Sequence, residues 1–225
     1  MPAARPDPAA RPVPTGEGGA WLGLGVAARA ALAIVGSLVP LMMVCGLWIL
    51  LEQIDRKVSR EGGWAAVPPE GTQLVDLLAQ GGDILRSYAL LMGLSGAALG
   101  LLLFVAAVGL QRGSEFARRA TRALLAADAL HTFAGGAWVV VLTIRDLGPW
   151  MQSYQATTQR LMEMNGRGQA KFPMQGLMLP ASMQAVPQVV MTLLSAGMAL
   201  LLLWLAGRPF VRDWCRARGC KRVSR

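Results

Sequence analysis

The sequence predicts an all-α integral membrane protein, with four transmembrane helices in a bundle and both termini cytoplasmic (N-in/C-in). Three observations predict it. Apolar residues make up 54% of the 225-residue chain and charged residues 16%, against about 45–50% and about a quarter in soluble domains; mean hydropathy is +0.43. Four apolar stretches, about 30–51, 88–110, 123–144 and 186–206, each match the roughly 20 residues needed to cross a hydrocarbon core of about 30 Å. Basic residues, finally, are segregated between the connections. The segments before the first span, between the second and third, and after the fourth hold 14 Arg and Lys and sum to +10, whereas 52–87 and 145–185 sum to zero. The positive-inside tendency places the first group in the cytoplasm. The Arg-, Ala- and Gly-rich composition fits a GC-rich bacterial genome, and hence a bacterial inner membrane.

Taken in order, residues 1–29 read as a disordered cytoplasmic tail, because residues 1–20 are rich in proline and lack apolar periodicity. The apolar run that follows is too long for the core of a cleavable leader. Residues 30–206 form the four-span domain. Pro40 lies inside the first span, where neighbouring helices can satisfy the carbonyl it frees, and Pro187 lies in the opening turn of the fourth, where proline is tolerated. Trp48, Tyr88, Trp138, Trp150 and Trp204 fall near span ends, as an aromatic belt requires. Within the outer loops 52–87 and 145–185, residues 72–86 have helical spacing interrupted by Gly81-Gly82, and 150–164 also read as helical. These segments are expected to form a small outer cap or to lie in the interface. Residues 207–225 are a basic cytoplasmic tail.

Each span carries a stripe of small or polar residues, which lets helices approach closely where lipid offers no hydrophobic contrast. At 100° per residue the stripes are Arg29, Ala33, Gly36 and Pro40; Gly93, Gly96, Ala97, Gly100 and Ala107; Asp128, His131, Thr132 and Gly135; and Gln188, Thr192, Ser195 and Ala199. The helix-packing glycines are therefore Gly93, Gly96, Gly100 and Gly135.

Asp128 is the sharpest chemical signal. A central Asp costs about 2.5–3.5 kcal/mol on the insertion scale, against about 0.3–0.6 returned by each large aliphatic residue, so it should face inward with a partner. One reading is a structural salt bridge with Arg29, which enters the first span from the same side. The other joins Asp128 to His131, the only histidine, and Thr132 as an intramembrane proton or ion site, with a polar path leading in through Gln188 and Ser195.

Eight of the 12 methionines fall between Met151 and Met198. Thioethers suit Cu(I), which makes Met162, Met164, Met174 and Met178 the candidate copper ligands. No His or Cys accompanies them, so they read as flexible apolar filler, and neither metal nor cofactor is expected. If the tail is helical, Phe210, Val211, Trp214, Cys215 and Arg218 share a face, while Arg208, Arg212, Arg216, Arg218, Lys221 and Arg222 supply charge for anionic lipid at the cytoplasmic face. Cys215 and Cys220 lack further ligands for a zinc site; nearby arginines would favour their thiolates.

No P-loop or nucleophile elbow occurs, and no separate domain presents the charge to nucleic acid. The expected role is a non-catalytic structural or accessory subunit that self-associates or joins other membrane proteins, not an enzyme. The alternative is a small oligomeric transporter or channel using Asp128 and His131.

Overall fold

The computed structural model describes residues 18–164 and 181–223, and they are almost entirely helical. Seven helices follow in chain order: α1 (Gly18–Arg60), α2 (Pro69–Tyr88), α3 (Leu94–Gln111), α4 (Glu115–Leu142), α5 (Gly148–Met164), α6 (Ala181–Gly207) and α7 (Pro209–Val223). Two five-residue π turns, Ala89–Gly93 and Thr143–Leu147, fuse α2 to α3 and α4 to α5. The described residues thus contain four continuous helices long and apolar enough to cross a membrane, at Gly19–Arg60, Pro69–Gln111, Glu115–Glu163 and Ala185–Gly207. They suggest a multi-pass membrane protein.

The rods are longer than the apolar stretches on which the spans were drawn. At 1.5 Å per residue the 43 residues of α1 extend about 65 Å, roughly twice a hydrocarbon core. Two expectations change accordingly. Helix α1 begins at Gly18, and Leu22 and Val26 are buried, so the expected disordered tail does not extend to residue 29. Residues 72–86 are not broken at Gly81-Gly82, because both glycines lie inside α2. Gly81 is instead a contact: the Trp150 indole lies where a β-carbon would stand, and its Nε1–H donates to the Leu77 carbonyl at 2.6 Å. Trp150 also stacks on Tyr154, so α2 and α5 run together beyond the spans, with α2 also packed on α1. Each π turn adds a residue to one helical turn, which changes the face that the outer half presents relative to the spanning half.

Helix ends follow local chemistry. At the close of α3, Gly113 takes φ +77°; its N–H bonds the Leu110 carbonyl, and the Ser114 N–H bonds the Gly109 carbonyl. This pattern is a Schellman turn that needs glycine at the left-handed position. Ser114 then caps α4, its hydroxyl accepting from the Ala117 N–H. The reversal between two long helices therefore takes only residues 112–114.

α1 packs along α3, α3 along α4, and α4 along α6. Gly93, Gly96 and Gly100 all face α1, as the small-residue stripe on α3 predicts. A β-carbon at Gly93 would lie 2.7 Å from Leu41 Cγ, and one at Gly100 would lie 2.6 Å from Ile34 Cγ1 and 3.1 Å from the Ala30 carbonyl. At Gly96 it would overlap the Ser37 hydroxyl. The GxxxG from Gly96 to Gly100 thus serves packing within the chain. On α1 the contact face differs from the expected stripe: Gly36 has open space around it, and Ala30, Ile34, Ser37 and Leu41 meet α3. On α4 the tight point against α6 is Gly136, where a β-carbon would overlap Thr192; Gly135 has Met92 at ordinary contact distance.

The buried cluster lies at the end where α1 starts and α7 folds back, here termed the basal end. Leu22, Val26, Leu103, Leu110, Leu125 and Ala206 meet Val211, Trp214 and Cys215 of α7 there. The outward faces of the spans carry large apolar side chains, among them Met42 (72% exposed), Val105 (69%) and Leu130 (72%), the distribution that a lipid solvent requires.

The glycine contacts separate two substitutions. Gly100→Leu should force α1 from α3 and lower stability by about 2–3 kcal/mol, the upper range for overpacking. Gly82→Ala, at a helical site with nothing within 4 Å of the added carbon, should leave stability unchanged or raise it by up to about 1 kcal/mol. Thermal unfolding in detergent checks both.

Candidate functional site

Asp128 lies on α4 one turn beyond buried Leu125 and beside buried Ala129, and its side chain is 3% exposed. Across from it stands Arg29 of α1, 6% exposed, whose Nε–H donates to Asp128 Oδ2 at 2.7 Å. Arg29 is carried inward by its neighbours on α1, because Val26 and Ala30 belong to the buried cluster. The remainder of the guanidinium meets hydroxyls. Nη1–H donates to Ser195 Oγ of α6 at 2.7 Å, and Nη2–H to Thr132 Oγ1 of α4 at 3.0 Å. One cation therefore ties three helices that are 99 and 166 residues apart in sequence.

A buried charge is costly unless it is paired and hydrogen-bonded. Arg29 has one carboxylate and two hydroxyls, each bond using a different nitrogen and together engaging three of its five N–H groups. Two shallow surface concavities among the described residues lie elsewhere, one beside Arg56 and Arg60 and one beside Arg122 and Arg208.

His131 does not join this cluster, although it is only three residues from Asp128. Its Nε2 lies 2.9 Å from Ser95 Oγ on α3, and its ring borders Gly96. The Ser95 hydroxyl also bonds the Leu91 carbonyl of its own helical rod. The polar path expected along α6 is divided in the same way. Ser195 binds Arg29, whereas Gln188 accepts from Thr143 Oγ1, in the second π turn, at 2.9 Å.

The other candidates separate as follows. Met162 is half-buried on α5, while the Met164 side chain and Met174 and Met178 lie outside the described residues. No grouping of three or more His, Cys, Asp or Glu that could hold a metal occurs among the described residues. In the tail, the apolar face of α7 is turned onto protein: Val211, Trp214 and Cys215 are buried, and Trp214 covers Gly19. Arg208, Arg212 and Arg216 are exposed; the side chains of Arg218, Lys221 and Arg222 lie outside the described residues. The thiolate expectation for Cys215 is reversed, because burial pushes its thiol pKa up. Cys220 has no described side chain.

A latch at the basal end went unread in the sequence. Arg118 donates through Nε and Nη2 to both Glu115 oxygens, at 2.9 and 2.7 Å, and through Nη1 to the Ala206 carbonyl at 3.3 Å. It therefore joins the first turn of α4 to the last turn of α6. The only available hint was an i,i+3 Glu–Arg pair just after a capping serine, a pattern that normally marks an exposed face. Hydrogen bonds from Arg118, with Arg119 adding to them, hold the Glu115 carboxyl down to about 2.

Two outcomes follow. Asp128→Leu alone strands the Arg29 charge and should cost about 3–5 kcal/mol, whereas Arg29→Leu combined with Asp128→Leu should recover most of it; thermal unfolding of the single and double variants measures the coupling. For Glu115 the folded pKa lies below the ordinary value of 4.5, so its contribution is complete above about pH 4.5 and disappears as pH falls through about 2. Melting temperatures of Glu115→Gln should thus fall below wild type at pH 6 and converge with it near pH 2. No protein-family model, curated protein or solved structure matches the chain.

Proposed function

We propose that the chain is a multi-pass protein of a bacterial inner membrane, with both termini and the 111–122 connection cytoplasmic, serving as a non-catalytic structural or accessory subunit. The observation that carries this reading is that each guanidinium nitrogen of buried Arg29 has a partner, in Asp128, Ser195 and Thr132. A group that takes up and releases protons or ions needs an approach route and a partner that can let go. This pair is instead a clamp across α1, α4 and α6.

The segregation of charge supports the orientation. Basic residues gather at the basal end, on the connection before α4 and along α7, while the distal halves of the long helices are charge-balanced. Those distal halves also favour an assembly role. α2, α5 and the end of α1 project a polar helical surface well beyond the apolar zone, and an isolated set of spans has no need of it. The transporter reading required Asp128 and His131 on one route; their neighbours lie on different helices, which favours the clamp.

Purification of the full chain in a mild detergent, with native mass spectrometry, tests the proposal. The expected result is a complex, either with further copies or with another membrane protein, that Asp128→Leu disrupts. A stable lone monomer would contradict it. So would reconstituted vesicles in which the wild type conducts protons and a normally expressed Asp128→Asn does not.

A further inference from the structure

At the basal end, residues of α4, α6 and the start of α7 line a shallow, open cleft that the clamp does not involve. Its polar side is made by Arg122 of α4 and Arg208, the bend residue between α6 and α7. Its apolar wall is Leu200, Leu203 and Trp204 of α6. We propose that this cleft binds one acidic phospholipid, with the phosphate held by Arg122 and Arg208 and an acyl chain lying along Leu200 and Leu203. The proposal rests on the membrane reading above.

Charge is the first argument. Arg29, Arg118, Arg119 and Arg212 each have a carboxylate within 4 Å, but no such ion pair is formed by Arg122 or Arg208 with a described residue. Arg208 is instead held over the Trp204 ring, 3.7 Å from its centroid, which fixes the guanidinium without neutralising it. The Arg122 guanidinium reaches the junction and lies 3.9 Å from where a β-carbon of Gly207 would stand. Two cations, one of them held over an indole, therefore flank Gly207 on a short shallow strip.

Depth is the second argument. Arg122 immediately precedes the apolar stretch of α4, and Arg208 immediately follows that of α6. Both guanidiniums stand where apolar surface gives way to charge, the level of lipid headgroups. Leu200 and Trp204, 47% and 55% exposed, continue from them along the outward face of α6. A free inorganic anion has no use for that wall, whereas a lipid uses both parts. Basic pockets between helices on the cytoplasmic side are suited to anionic headgroups.

The local backbone agrees. The last carbonyls of α6 would repel an anion, but the Leu205 carbonyl accepts from the Arg208 N–H and the Ala206 carbonyl from Arg118. α7 starts at Pro209, on the rim of the cleft, and so turns the positive end of its dipole toward the same place.

The test uses the full chain, first in membranes and then in detergent, titrated with phosphatidylglycerol or phosphatidylcholine and read by native mass spectrometry. One phosphatidylglycerol should be retained per chain in preference to phosphatidylcholine. Combining Arg122→Gln with Arg208→Gln should weaken retention by roughly tenfold or more. Arg212→Gln with Arg216→Gln, which removes equal charge from α7 outside the cleft, should leave it nearly unchanged. Equal loss in both double variants would overturn the site in favour of diffuse attraction. Displacement by millimolar inorganic phosphate would overturn the lipid assignment in favour of a simple anion site. Release of the chain from membranes by alkaline carbonate would defeat the membrane reading and the site together; a chain that stays in the membrane but shows no lipid preference defeats the site alone.

Discussion

Burying an arginine among apolar helices dictates more of this structure than any apolar contact does. Arg29 can be withdrawn from solvent only if a carboxylate and further acceptors are already in place, and those groups sit on two other helices, α4 and α6. Apolar side chains tolerate small rotations and slides of the helices that carry them, because dispersion is non-directional. The guanidinium does not, since each of its bonds requires a nitrogen aimed at one oxygen. Register between α1, α4 and α6 is therefore set by one planar group. The close passage of α1 over Gly93, Gly96 and Gly100 then fixes the position of α3. A buried ion pair is often neutral for stability compared with apolar residues of similar size, and its value lies in excluding other arrangements. This chain has few alternatives for that task, because its spans are largely uniform in hydrophobicity.

The second constraint is helix length. An apolar stretch determines where a helix could cross a bilayer, but where the helix stops depends on caps, turns and packing. Here α1 and the two π-fused rods continue without interruption from apolar into polar surface. Their outer halves are held by side chains of a different kind, notably Trp150 against Gly81 and Leu77, and Trp64 donating to Asp55 at 3.0 Å. The basal end is closed by α7, so the two ends of the molecule differ in both charge and compactness.

Much of this was legible in the sequence. A lone Asp in one apolar run and an Arg entering another from the same end were enough to indicate the pair, because each is too costly to leave unpartnered. The glycine face of α3 was legible for the same type of reason, since small residues at helical spacing have few other uses in such a run. The stripe on α1 was not. Arg29 points toward α4 and α6, while Ala30, Ile34, Ser37 and Leu41 meet α3, and a single face drawn from Arg29 merges two. His131 separates from Asp128 for a similar reason: a three-residue step turns a side chain by about 60°, enough to change which helix it meets. Gly81-Gly82 resembled a break because glycine weakens an isolated helix; the indole that needs the space comes from a residue far along the chain.

The reach of Arg29 also bears on the order of events during synthesis. In a membrane-inserted chain the first span leaves the ribosome well before its partners exist, and Asp128 follows Arg29 by 99 residues. At about 5–20 residues per second the interval is on the order of ten seconds. Throughout it, the first span carries an arginine that has no carboxylate to meet. Only a site close to the basal end of the span makes such a wait tolerable, because the long side chain can extend to the interface until α4 and α6 arrive. In such a chain the early helix would be held near the surface by the same residue that later draws it into contact, so that the position of one charge sets the order of insertion.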